Sequence, residues 1–140
     1  DVKKGAVEIE KRTRSSVRKV VPCDVLEPGV LPEEHKETFD VVLSCNCLES
    51  ATADHESFRG VVDNVATLVK PGGLLVLAGI GGVDSYNVGT AEFPMAKVTE
   101  DVVKQALTDA GFEMKSYRSK DIDDIRVPKP FTFILAARKP

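Results

Sequence analysis

The chain has 140 residues, of which 42% are hydrophobic and 29% charged, and its formal net charge at pH 7 is −3. This composition is typical of one globular domain with a single core, and it provides no general attraction for nucleic acid or an anionic membrane surface. No run approaches the roughly 18 apolar residues that a membrane-spanning helix needs. We therefore expect one domain over residues 1–140, with neither a nucleic-acid nor a membrane partner.

The N-terminal part is polar and weakly patterned. Residues 8–18 mix acidic and basic side chains with little periodicity, which predicts a loop or a solvated helical turn. Residues 22–25 follow a group of valines and predict a short strand whose end carries Asp24. Residues 26–38 contain two prolines and four glutamates, so they predict a connecting segment.

Cys23, Cys45 and Cys47 lie at the ends of predicted strands. Three is an odd number, which favours the reduced thiols of a cytoplasmic protein over a disulfide framework. We expect no metal site, because the spacing Cys45-x-Cys47 is tight and a fourth zinc ligand at a usual spacing is missing. The chain starts with neither methionine nor a signal-peptide core, and we expect it to begin inside a longer gene product.

Residues 39–43 form an apolar run rich in β-branched side chains, which predicts a strand buried on both faces of a sheet. Small and polar residues then follow, from Ser44 to Glu49. Ligands of open α/β sheets bind just outside the carboxyl ends of the strands. This segment is therefore the candidate site.

The next predicted elements are a helix and a strand. Asp54 can cap a helix that runs to about Val69, and its apolar positions recur at helical spacing. The sequence Lys-Pro-Gly-Gly at 70–73 should end the helix. Residues 74–78 predict a second fully buried strand.

Residues 79–92 predict a glycine-rich loop, after which Thr99 should cap a second helix that ends at Gly111. Two further strands are predicted at residues 112–118 and 131–138, and the loop at 120–130 suits an antiparallel pair. The order of elements predicts an α/β fold with a mostly parallel sheet and an antiparallel C-terminal strand pair.

Five segments in this order resemble class I methyltransferases, and more narrowly the small-amine N-methyltransferases that act on nicotinamide, phenylethanolamine or indolethylamine. They are Cys23-Asp24-Val25, Leu-Ser-Cys-Asn-Cys-Leu-Glu-Ser-Ala at 43–51, Leu-Val-Lys-Pro-Gly-Gly at 68–73, Ser-Tyr-Asn-Val-Gly at 85–89 and Ala-Ala-Arg-Lys at 136–139. The resemblance implies a partial Rossmann-like sheet, S-adenosylmethionine as cofactor and a small-molecule amine as substrate.

The likeness covers only the second half of such an enzyme. The glycine-rich turn that holds the methionine part of the cofactor, and the acid that holds its ribose, have no counterpart in this sequence. The glycines at 79–82 come too late, and Asp84 occupies the third glycine position of a G-x-G-x-x-G motif. We expect one domain that is the C-terminal portion of a methyltransferase domain and lacks this loop.

The resemblance also implies cofactor contacts. Asp24 would accept a hydrogen bond from the adenine amino group, and the backbone N–H of Val25 would donate to a ring nitrogen, which together complement the edge of adenine. The alternative for Asp24 is a capping role in a turn. Cys45 matches a small residue whose backbone touches the cofactor.

On the substrate side, Glu49 would hold the amine directly or through water, and Tyr86 would form a wall of the pocket. Asn87 adds a polar group there. The alternative for Glu49 is a solvated surface glutamate. We assign no catalytic residue, because the sulfonium of the cofactor is already activated and the enzyme mainly provides position and desolvation. We expect Asp24 and Glu49 to line one cleft.

The predicted function is S-adenosylmethionine-dependent N-methylation of a small amine, with the 140-residue piece alone inactive. The alternatives are a non-catalytic binding module and a class I methyltransferase with another acceptor. Without its neighbouring strands, the strand at 39–43 should become an open apolar edge. We expect a monomer for the full-length enzyme and an edge-paired dimer for the piece.

Overall fold

The computed structural model describes residues 2–123 and 129–140. Its helices and strands alternate along most of the chain, as expected for an α/β fold. In chain order they are α1 (Val2–Ser16), a short 3₁₀ helix (Glu33–His35), β1 (Phe39–Cys45), α2 (His55–Ala66), β2 (Val69–Gly81), β3 (Ser85–Val88), β4 (Ala91–Pro94), α3 (Glu100–Asp109), β5 (Glu113–Asp121) and β6 (Phe131–Arg138).

The main sheet has four strands in the order β1-β2-β6-β5. β1 and β2 are parallel and are joined through α2, whereas β6 is antiparallel to both β2 and β5. Three of the four strands therefore run in the same direction. The predicted α/β class is confirmed, with a mostly parallel strand direction and an antiparallel C-terminal pair.

The core lies on one face of this sheet, beneath α2 and α3. Leu75 and Leu77 of β2 and Leu135 of β6 are buried there against the apolar faces of both helices. The opposite face is not covered by any helix of the described residues, and Leu43 and Ile134 are 65% and 51% exposed on it. This half-covered sheet is the main departure from an ordinary α/β domain.

The prediction that β1 is buried on both faces was wrong. Val41 is 56% exposed, and β1 alternates between exposed and half-buried residues. The reason is the position of β1, since the described residues give it a hydrogen-bonded neighbour on one side only and place no helix on one of its faces. β2 is likewise buried on one face and half-buried on the other.

The predicted strand at residues 22–25 does not form, and residues 17–24 have no regular secondary structure. A strand requires a hydrogen-bonded neighbour, and the described part of the chain provides none here. The backbone N–H of Asp24 donates instead to the carbonyl of Val30, 3.0 Å away, and closes a turn. Residues 8–18 belong largely to α1, a fifteen-residue helix with no buried residue. Of the two alternatives predicted here, the structure therefore has the solvated helix, longer than one turn, and not the loop.

Both predicted caps are present. The side chain of Asp54 accepts the N–H of Ser57, and that of Thr99 accepts the N–H of Val102. α2 ends at Ala66, and residues 69–73 belong to β2, where Gly72 takes a positive φ of 79° beside the irregularity in the pairing with β1. The helix is therefore shorter at its C-terminus than predicted.

Residues 79–92 were predicted as a loop, but they contain the end of β2, all of β3 and the first residues of β4. β3 and β4 form a separate antiparallel hairpin. The predicted loop at 120–130 begins later than expected, because β5 continues to Asp121, and residues 124–128 of it lie outside the described part. β6 has the predicted bounds, Phe131–Arg138.

Candidate functional site

Glu49 lies in the turn that follows β1 and is only 2% exposed. Asn46 starts this turn with a positive φ of 49° and donates its N–H to Ala78 of β2 at 2.8 Å, which fixes where the turn leaves the sheet. The carbonyl of Glu49 accepts the N–H of Ala96 at 2.9 Å. The backbone of Glu49 is thus tied to the segment before α3.

The carboxylate of Glu49 lies in a narrow, mostly apolar pocket, whose free space is too small to hold a water molecule. Oε1 accepts the backbone N–H of Ile80 at 3.0 Å. Burial raises the pKa of Glu49, and the hydrogen bond from Ile80 opposes that rise only in part. The walls of the pocket are Ser44, Leu48, Phe58, Leu77, Ala78 and Phe133. Among the described residues no lysine or arginine pairs with this carboxylate.

Gly79 makes room for the carboxylate. A Cβ at this position would lie 2.7 Å from Oε1 of Glu49 and 2.8 Å from Cζ of Phe133. Gly79 was predicted to lie in a glycine-rich loop, and its role beside Glu49 was missed. A glycine directly after a buried apolar strand is a signal of close approach, and it could have been interpreted in that way.

Asp24 lies in an exposed turn. Its Oδ1 accepts the N–H of Leu26 at 2.9 Å, which is the capping geometry weighed as the alternative to adenine binding. The backbone N–H of Val25 has no hydrogen-bond partner among the described residues. The carbonyl of Val25 accepts Nδ2 of Asn64, so α2 anchors the turn.

A cleft of about 310 Å³ opens beside Asp24. Its lining is mostly apolar and consists of Pro22, Cys23, Asp24, Glu27, Pro28, Val30, Leu31 and Pro32. The lining residues of this cleft and those of the Glu49 pocket do not overlap. The structure therefore does not bring Asp24 and Glu49 into one cavity.

Cys47 lies between the two pockets. Burial raises the pKa of its thiol, and the neighbouring Cys23 and Glu49 raise it further. Cys45, by contrast, is exposed at the end of β1. In the part of the chain that the structure describes, no group of three or more His, Cys, Asp or Glu side chains is placed to hold a metal ion.

Tyr86 and Asn87 are consecutive in β3, so their side chains point to opposite faces of the hairpin. Tyr86 stacks on Phe93 of β4 with 5.4 Å between ring centroids, while Asn87 is opposite Glu92. One face of the hairpin carries Tyr86 and Phe93, and the other carries Asn87 and Glu92. Only one of these faces can line a given pocket. The structure thus separates two residues that were expected to act together.

Comparison with known proteins identifies the family of this chain. The family model described as the NNMT/PNMT/TEMT family matches residues 2–140. The chain belongs to this family. Within the described residues, no helix has both the length and the apolar character needed to cross a membrane.

Similar members of the NNMT/PNMT/TEMT family carry out different methylations. Indolethylamine N-methyltransferase of Oryctolagus cuniculus is 32% identical over 139 residues, covering 94% of this chain and 51% of the relative. Phenylethanolamine N-methyltransferase of Homo sapiens is 32% identical over 112 residues, covering 79% of this chain and 40% of the relative. The chain spans about half or less of the length of these curated relatives.

Solved structures of methyltransferases have a fold similar to that of this chain. N-methyltransferase NodS from Bradyrhizobium japonicum WM9, in complex with S-adenosyl-l-homocysteine, has a TM-score of 0.58 at 19% identity, covering 93% of this chain and 59% of that one. A S-adenosylmethionine-dependent methyltransferase from Clostridium acetobutylicum has a TM-score of 0.61 at 11% identity, covering 94% and 69%. At these identities the similarity establishes the fold alone.

Proposed function

We propose that this chain carries the amine pocket and the adenine-binding turn of an S-adenosylmethionine-dependent N-methyltransferase for small amines. The observation that carries the proposal is the carboxylate of Glu49, buried among apolar walls and held by the N–H of Ile80 without a basic partner among the described residues. A buried carboxylate without a cation favours an amine or ammonium ligand. Because the pocket has no free space for even a water molecule, an amine must displace one of the pocket's walls to reach the carboxylate. Membership of the family supports the same substrate class.

The cleft beside Asp24 fits one end of the cofactor. Its proline-rich and aliphatic walls suit the flat faces of adenine. The N–H of Val25, which has no partner within the described part of the chain, can donate to a ring nitrogen, and Asp24 can accept the amino group. Because Oδ1 of Asp24 already caps the turn, Oδ2 is the oxygen that would meet adenine. Cys45 would contribute through its backbone.

S-adenosylmethionine supplies an activated methyl group on a sulfonium. The residues of this chain position the amine and exclude water around it, and Glu49 can accept a proton from the ammonium form. Of the two hairpin residues, Tyr86 would cover the amine with its ring, whereas Asn87 lies on the opposite face of the hairpin. Nothing among these 140 residues corresponds to the turn that holds the methionine end, so we expect the chain alone to be inactive.

A non-catalytic binding module is the second candidate. The capping hydrogen bond of Asp24 favours it, because the carboxylate then has a structural role that needs no nucleotide. Under this alternative the Glu49 pocket would still take an amine, but the Asp24 cleft would not respond to the nucleoside. A class I methyltransferase with another acceptor would respond to phenols instead of amines.

The experiment is a titration of the ¹⁵N-labelled chain, followed by NMR, with S-adenosylhomocysteine and separately with phenylethylamine. We expect the nucleoside to shift the amide of Val25, and Asp24→Asn to remove this shift. The amine should shift the amide of Ile80, and Glu49→Gln should remove that shift. Glu113→Gln is the matched control, because Glu113 is an exposed glutamate of β5 and should leave both shifts unchanged.

The amine response should also depend on pH. Glu49 must be ionised to hold an ammonium ion, and burial raises its pKa. The shift of Ile80 should therefore be lost on acidification at a higher pH than the ordinary glutamate value of about 4.3 would give. If neither amide responds at concentrations on the order of millimolar, the binding role of both pockets is wrong.

A further inference from the structure

Asn64 is a polar side chain of α2 whose hydrogen-bond partner lies far away along the chain. Its Nδ2 donates to the carbonyl of Val25 at 2.9 Å, across 39 residues. Asparagine is a weak helix former, because its side chain competes with backbone groups for hydrogen bonds. The bond to Val25 therefore gives this asparagine a role that a stronger helix former such as leucine could not take.

Val25 belongs to a tight turn that runs from Asp24 to Glu27. The carbonyl of Asp24 accepts the N–H of Glu27 at 3.2 Å, which closes the turn. The carbonyl of Asp24 and the N–H of Val25 belong to the same planar peptide and point in opposite directions. The closed turn therefore directs the N–H of Val25 outward, away from its own interior.

The bond from Asn64 ties this turn to a rigid element. The backbone of Asn64 is itself fixed, because its carbonyl accepts the hydroxyl of Thr67 at 2.6 Å and the N–H of Thr67 at 3.2 Å. Phe58 of the same helix is a wall of the Glu49 pocket. Six residues of helix rise by about 9 Å, so α2 sets the separation between the turn and the pocket along its axis.

We propose that Asn64 is the positioning residue of the adenine-binding turn. Its bond to Val25 aligns the N–H of Val25 and the carboxylate of Asp24 with the edge of adenine, although Asn64 itself lines neither cavity. This inference rests on the proposed function of the turn. Both hydrogen bonds to adenine depend on the place of one short segment, and a displacement of roughly 1 Å would lengthen both beyond their ordinary range.

A turn held in this way should distinguish adenosine from inosine. Inosine carries a carbonyl oxygen where adenosine carries the amino group, so an acceptor would face the acceptor carboxylate of Asp24. A fixed turn cannot move to relieve this repulsion, whereas a loose turn can. The preference for adenosine over inosine therefore reports the positioning of the turn, and a loss of stability alone would leave it unchanged.

The test is a titration of the ¹⁵N-labelled chain with S-adenosylhomocysteine, adenosine and inosine, followed by NMR at the amide of Val25. The natural chain should prefer adenosine to inosine by about tenfold. Asn64→Leu favours the helix but cannot donate a hydrogen bond. It should weaken the binding of S-adenosylhomocysteine by about three- to tenfold and reduce the preference for adenosine. The response of Ile80 to phenylethylamine should stay the same.

Asp63→Leu is the matched control, because Asp63 is the exposed neighbour of Asn64 in α2. It should change neither the affinity nor the preference, and circular dichroism should show that both variants are folded. A second measurement needs no variant. In the natural chain, the Nδ2 protons of Asn64 should exchange with solvent more slowly once S-adenosylhomocysteine is bound.

A folded Asn64→Leu variant with the affinity and the preference of the natural chain would overturn the inference and leave the adenine-binding turn in place. Nδ2 protons of Asn64 whose exchange S-adenosylhomocysteine does not slow would overturn it as well. If S-adenosylhomocysteine does not shift the amide of Val25 in the natural chain, the adenine part of the proposed function is wrong, and this inference fails with it.

Discussion

Glu49 is the residue whose environment determines the chemistry of the candidate site. The sequence predicted its place after β1, but it left open whether the side chain is solvated or in a pocket. The structure shows it 2% exposed, with its carboxylate between the N–H of Ile80 and a glycine. That burial could not be predicted, because it depends on Ala96, whose N–H binds the carbonyl of Glu49 from 47 residues further along the chain.

Gly79→Ala tests the packing around Glu49. The added Cβ would lie 2.7 Å from Oε1 and 2.8 Å from Cζ of Phe133, so one of these side chains must move. We expect the free energy of unfolding, measured in urea, to fall by about 1–3 kcal/mol, and the amine-induced shift of Ile80 to weaken.

Gly60→Ala is the control for that substitution. Gly60 lies within α2, and a Cβ there would have no heavy atom within 4 Å. Alanine should stabilise the helix by roughly 0.5–1 kcal/mol because it loses less backbone freedom on folding than glycine. Equal effects of the two substitutions would contradict the close approach at Gly79.

At the scale of elements, the capped helices α2 and α3 and the strand β6 were predictable, whereas α1 and the exposure of β1 were not. The capping residues Asp54 and Thr99 and the apolar stripe of α2 are local signals, and the structure contains all of them. Whether residues 22–25 form a strand, and which faces of β1 are buried, depends on neighbours elsewhere in the sheet. The hairpin β3–β4 was missed because the glycines at 79–82 outweighed the alternating pattern that follows them.

Thr99→Ala tests the cap of α3. Oγ1 of Thr99 accepts the N–H of Val102 at 3.3 Å, and this satisfies one of the free donors at the start of the helix. Its loss should lower the free energy of unfolding by about 1 kcal/mol.

Thr108→Ala is the matched control, because Thr108 binds the carbonyl of Lys104 within the same helix. This change should be nearly neutral, since the carbonyl is already part of the helical ladder. If both substitutions had the same effect on urea unfolding, the cap would contribute nothing.

At the scale of the whole molecule, the described residues form a four-stranded sheet in the order β1-β2-β6-β5, with helices on one face only. β1 is an edge, and Leu43 and Ile134 are exposed on the uncovered side. The alignment with the indolethylamine N-methyltransferase of Oryctolagus cuniculus covers 51% of that relative. That the chain is the C-terminal portion of a methyltransferase domain stays a prediction.

The most direct measurement is methyl transfer from labelled S-adenosylmethionine to a panel of small amines. It should be made with the 140-residue chain alone, and with the chain fused to the part of the Oryctolagus cuniculus enzyme that it does not match. We expect no transfer by the chain alone, transfer to an amine by the fusion, and loss of that transfer on Glu49→Gln. Transfer by the chain alone, or a fusion that binds S-adenosylhomocysteine yet methylates no amine, would contradict the account.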